Sequence, residues 1–220
     1  MSALAVLRSE ALYLYYPDHT TPIGGTLPKI AVSDMEVLSE EALTISVAKF
    51  IPVIPHAPVP TVLVLSDELC FTQPFKEGDK EDAEKALVAL TPFTHVATAS
   101  LTVQNQRYFI ATNQDYYEAV VRSLAARGHQ VTLVVPWICL VRSGMTKGEL
   151  DMVTVKRVFD NLSSLRMCIF PLAVENREAP VSSASVPEKP KSKLPIGWII
   201  FGVGALAYGF VMYWFFIRGA

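Results

Sequence analysis

The sequence predicts an α/β domain, a mixed sheet with flanking helices, followed by one membrane-spanning helix at the C-terminal side. Three observations carry this. β-rich runs alternate with amphipathic stretches at helical spacing through residues 1–178, the pattern of a mixed sheet covered by helices. Residues 179–193 are rich in Pro, Ser and Lys, too poor in apolar groups to offset the entropy of ordering, and read as a tether. Residues 194–217 carry no charge and exceed the roughly 20 apolar residues that span a hydrocarbon core.

Along the domain, residues 4–8 and 12–16 form two β-rich runs around Ser9, Glu10 and Ala11, which predicts a hairpin. Pro17, Pro22, Gly24, Gly25 and Pro28 then read as loop. Ser39 before Glu40 and Glu41, with Leu43, Val47 and Phe50 at helical spacing, marks a helix that Pro52 and Pro55 stop. Residues 61–65 are a buried-type strand, and residues 70–75 are expected to pair beside it. Residues 79–90 read as a helix with acids at its positive end.

Residues 94–103 and 107–112 form a second expected hairpin. Asn113 then caps a helix with Tyr117, Val120, Val121, Leu124 and Ala125 on one face, and Gly128 stops it before a strand at 131–135. A further amphipathic helix is expected over 146–165, then an apolar run over 167–174. Cys70, Cys139 and Cys168 are odd in number and apolar in context, and read as separate core thiols of a reducing compartment.

The order from residue 61 to 140 resembles the cytoplasmic actin-like domains of pilus and type II secretion platforms, the PilM and GspL families. The strand at 61–65, the extended segment 70–75 ending near a proline, the antiparallel pair and the unit from Asn113 through Gly128 into a strand and a short helix at 137–141 carry the likeness. It implies one lobe of an actin-like fold that offers a groove or sheet edge to partner segments. The expected docking surfaces are the edge at Cys70, Phe71 and Phe75, and the helix carrying Arg122 and Arg127. An ATP-binding member is expected to place Asp-x-Gly between its first two strands, where glycine lets backbone N–H groups approach phosphate. Here that turn is Leu7-Arg8-Ser9-Glu10-Ala11, and the tether leaves no room for a second nucleotide-clasping half. The expectation is therefore a structural adaptor of a pilus or secretion platform, with no cofactor and no hydrolysis. The alternative is a membrane-tethered α/β enzyme or ligand-binding module unrelated to actin.

Other chemistry is thin. A net charge of −2 and the absence of a basic stripe argue against nucleic-acid binding. Gly24-Gly25-Thr26 could line an anion nest but lacks a phosphate-binding lysine, and a plain turn explains it. His19, His56, His95 and His129 share no metal-ligand spacing, and Asp67-Glu68 reads as a hydrated turn. The serines, Ser9, Ser123 and Ser143 among them, lack a nucleophile elbow.

Lys189, Lys191 and Lys193 before the apolar span, against Arg218 behind it, predict an inner-membrane protein with its N-terminal domain in the cytoplasm. Trp198, Tyr213 and Trp214 fall at the expected headgroup levels. Ala205 and Gly209 make a small-xxx-small pair, which predicts pairing of two copies through the anchor.

Overall fold

The computed structural model describes residues 2–54, 58–76, 80–103, 106–146, 150, 152–166 and 168–172. The chain divides into two units, Met1–Arg177 and Glu178–Ala220, and the tether, the span at 194–217 and the pair Ala205 and Gly209 lie outside the described residues. Among the described residues no helix is long and apolar enough to cross a membrane.

The first hairpin forms as expected, from β1 (Ala3–Leu7) and β2 (Ala11–Tyr15) in antiparallel register. The next segment departs from the expected loop or turn: β3 (Ile23–Thr26) adds to β2 as an edge strand. Pro17 and Pro22 do break the chain, but Gly24 serves close approach. A Cβ there would collide with the Leu12 carbonyl oxygen and stand 2.7 Å from the Tyr13 Cα. A short ribbon follows, β4 (Val32–Ser33) and β5 (Glu36–Val37), turned through Asp34 and Met35 at positive φ.

α1 (Glu40–Phe50) starts where the Ser39 hydroxyl accepts the Ala42 N–H at 3.1 Å, and it ends at extended Ile51 before Pro52. β6 (Val59–Leu65) runs parallel to β1. After a 3₁₀ turn at Asp67–Leu69 comes β7 (Phe71–Phe75), which does not lie beside β6. It pairs instead with a later strand in a separate sheet, a long-range choice that no local residue pattern encodes. α2 (Lys80–Leu90), β8 (Val96–Val103) and β9 (Gln106–Asn113) complete that three-stranded antiparallel sheet, in the order β7-β9-β8.

β9 passes directly into α3 (Gln114–Ala125), capped by the Asn113 side chain, which accepts from the N–H of Asp115 at 3.0 Å and of Tyr116 at 3.4 Å. The buried stripe holds Tyr116, Tyr117, Val120, Val121 and Leu124, whereas Ala125 is exposed, contrary to expectation. Gly128 has φ +89, and a Cβ there would stand 2.7 Å from the Ile54 carbonyl oxygen. β10 (His129–Pro136) then lies parallel to β6. The main sheet is thus mixed, in the order β10-β6-β1-β2-β3.

α4 (Trp137–Arg142) follows at once. The helix expected over 146–165 is two pieces, α5 (Met152–Asp160) and α6 (Leu162–Leu165), because Asn161 leaves the helical region and turns its amide back to the Arg157 carbonyl at 2.9 Å. One face of the main sheet packs Ala3, Ala5, Leu63 and Leu65 against α1 and α3, and the other packs Leu4, Val6, Val62 and Val64 against α4, α5 and α6. Cys139 and Cys168 are joined as a disulfide with Cα atoms 6.7 Å apart, so the reading of separate thiols holds for Cys70 alone. Phe170 bridges Val134 and carries Cys168 to the same buried layer as α4, a proximity hidden by 29 residues of separation.

Candidate functional site

Two of the concave regions among the described residues matter for function. The first opens between α2 and the end of the small sheet, about 1020 Å³ in volume, with Gln73, Phe75, Lys76, Asp82, Thr102 and Arg107 in its lining. α2 covers this face because Leu87 packs with Phe109 and Ala111, with Phe71, Phe75 and Ala83 around them. Phe75 stacks on Phe109 with centroids 4.1 Å apart, and Phe71 meets Phe93 edge-on at 5.9 Å. Gln73 Oε1 is buried and has no hydrogen-bond partner among the described residues, an uncompensated acceptor in the lining of the groove. Lys76 and Arg107 bring basic groups and Asp82 an acidic one to the lining.

Cys70, just ahead of β7, is partly buried. Desolvation, with the Asp67 charge as a lesser cause, pushes its thiol up to about 12. It is a protonated packing group, not a nucleophile.

The two arginines expected to meet a partner are already engaged. Arg122 donates to Glu40 Oε1 at 2.7 Å and stands 3.8 Å from Glu118 Oε2, tying α3 to α1. Arg127 donates through Nε to the Ile51 carbonyl at 2.8 Å. They sit on the α1–α3 side of the fold, while Phe71 and Phe75 belong to the small sheet, so the predicted docking residues do not converge on one surface.

The second region, about 630 Å³, lies at the carboxyl ends of the parallel strands and is lined by Arg8, Tyr15, Asp67 and Trp137 among others. Such ends are where open α/β sheets place ligands. Burial raises the Asp67 carboxyl and the Tyr15 phenol above their ordinary values.

Beside this cleft the β1–β2 turn is closed by the protein itself. The Ser9 N–H donates to Glu68 Oε1 at 2.9 Å, and the Ser66 hydroxyl reaches the same oxygen at 3.2 Å. From the other side the Tyr116 hydroxyl donates to the carbonyls of Arg8 at 2.9 Å and Ser9 at 3.1 Å. Glu68 was legible only as an acid after a strand, and Tyr116 only as a helix residue, because their partner is distant in sequence.

His129 is buried between two hydroxyls, with Tyr16 Oη 3.1 Å from Nε2 and Thr61 Oγ1 3.1 Å from Nδ1. Thr61 spends its own proton on the Val59 carbonyl at 2.9 Å, so its oxygen accepts from Nδ1–H and Nε2 accepts from Tyr16. The ring is neutral, and burial lowers it to about 4. No group of His, Cys, Asp or Glu able to hold a metal occurs among the described residues.

No protein-family model and no curated protein matches the chain. Solved structures similar to it include a PilM-PilN type IV pilus biogenesis complex, at 17% identity and TM-score 0.42, over 60% of this chain and 46% of that one. The cytoplasmic domain of EpsL, an inner membrane component of the type II secretion system of Vibrio cholerae, is similar at 13% identity and TM-score 0.36, over 62% and 56%. A Bacteroides thetaiotaomicron protein of actin-like ATPase fold and unknown function is similar at 11% identity and TM-score 0.39, over 68% and 57%. The chain spans about half the length of each of these structures, and pilus and secretion components of the kind its sequence resembles are among them.

Proposed function

We propose that the domain is a docking module of a pilus- or secretion-type inner-membrane platform, holding cytoplasmic components at the bilayer without nucleotide hydrolysis. The observation that carries the reading is the closure of the β1–β2 turn by Glu68. In ATP-binding relatives of the resembling fold this turn would offer backbone N–H groups to phosphate. Here the Ser9 amide is taken by a carboxylate of the same chain, which occupies the donor and repels a second anion.

The groove of Gln73, Phe75 and Arg107 is the surface assigned to a partner peptide. Its unmatched acceptor favours a donor from outside, since leaving that atom dry costs about 1–3 kcal/mol. The uncharged span at 194–217 supplies the anchor, and tethering raises the effective concentration of weak partners.

The test is calorimetry of the full chain in detergent with ATP and magnesium, alongside recovery of bound proteins from membranes expressing wild type or Gln73→Ala. No nucleotide binding, and recovery of platform proteins that weakens in the variant, is the expected outcome. Saturable ATP binding with turnover would reject the reading. The second reading, a ligand-binding module, is favoured by the cleft of Arg8, Asp67, Tyr15 and Trp137. Binding of a small molecule that is lost on Arg8→Ala, with no protein partner recovered, would select it.

A further inference from the structure

The two outer edges of the small sheet differ. β7 carries Pro74, which has no N–H to offer another strand. β8 reads VATASLTV, eight residues without charge or proline, and its register with β9 runs unbroken by a bulge. Among the described residues it pairs with β9 alone, and no backbone hydrogen bond reaches its outer side. Edges are ordinarily blunted by a charge, a proline or a bulge, and an unblunted one is a template for strand addition.

We propose that the outer edge of β8 takes the same edge of a second copy, antiparallel about a two-fold axis through Ser100, so that the two small sheets become one. An axis normal to the sheet keeps like faces together, as an isologous interface requires. Ser100 then meets its own equivalent, Thr98 meets Thr102 of the second copy, and Ala99 meets Leu101. Hydroxyls pair with hydroxyls on the α2 side, and apolar groups pair on the side that faces the core, where Ala97 and Ala99 are buried.

Charge selects the second copy as occupant and fixes its direction. Thr98 donates to Glu84 Oε1 at 2.7 Å, and Thr102 lies opposite Arg107 on β9. The pairing of Thr98 with the second copy's Thr102 carries Glu84 of one copy toward Arg107 of the other, and the symmetry repeats this on both sides of the axis. No like charges are set opposite one another along the strand itself.

The test uses the full chain in nanodiscs, with Ala205→Ile and Gly209→Ile included so that pairing of the anchor does not report. Ser100 is exposed, so its substitution leaves the fold intact, as circular dichroism checks. Ser100→Cys is expected to cross-link to itself under mild oxidation. Ser100→Lys and Ser100→Glu are each expected to be monomeric, and their equimolar mixture to recover the dimer as a mixed species. A monomer at every concentration, a dimer indifferent to Ser100→Lys, or a Ser100→Cys cross-link formed only to a different polypeptide would overturn the proposal.

Discussion

At the scale of single residues, burial moves two titratable groups away from their ordinary values, each toward its neutral form. His129 is neutral, with a folded value near 4 against an ordinary 6.5. The unfolded chain therefore takes up the proton first. Stability from this site is complete above about pH 6.5, falls as the pH drops toward 4 and levels off below, by at most about 1.4 kcal/mol per pH unit. Urea titrations from pH 7.5 to 4 are expected to show this slope in wild type and a shallower one in His129→Asn, which keeps a donor toward Thr61. Cys70, with its thiol at about 12, is expected to resist a thiol reagent at pH 8 until denaturant is added, as absorbance of the released chromophore reports.

At the scale of elements, the helix boundaries set by local chemistry were legible and the strand partnerships were not. Ser39 and Asn113 announce α1 and α3 because a cap binds amides two or three residues away, within reach of any reading of the sequence. β3 was hidden because Gly24 and Gly25 signal a turn by composition, while their use depends on how closely the Leu12 backbone passes. β7 was legible as a strand, yet its partner β9 is separated from it by α2 and β8, and nothing local distinguishes that partner from β6. The same limit governs the site: Arg122 and Glu68 are exposed, and what stayed hidden is their partners, Glu40 at 82 residues and Ser9 at 59. Asn113→Ala is expected to cost about 1–2 kcal/mol in denaturant unfolding, from loss of the cap. Gly128→Ala should cost about as much or more, since it meets both a positive φ and the Ile54 carbonyl.

At the scale of the whole molecule, both faces of the main sheet are covered within Met1–Arg177, so this unit has a core of its own. A fragment of residues 1–177 is expected to unfold cooperatively and to stay in the soluble fraction, while the full chain remains with membranes through a carbonate wash. Sedimentation of the two chains, followed by immunoblotting, checks this, and a fragment lacking a cooperative transition would place the boundary elsewhere.

The junction at Asn113 has a mechanical consequence. This residue ends β9, starts α3 and donates through Nδ2 to the Met35 carbonyl in the β4–β5 ribbon at 2.9 Å. No loop separates strand from helix there, so a pull on the small sheet has no slack to take up before it reaches α3. Force applied at the groove would be delivered along that rod to its far end, where Arg127 grips Ile51 and the Ile54 N–H meets the Arg127 carbonyl at 3.0 Å. A loaded partner would then be felt more than a helix length away. Hydrogen exchange in the segment after α1 should slow when the groove is filled, and that change should vanish if two glycines are inserted after Asn113.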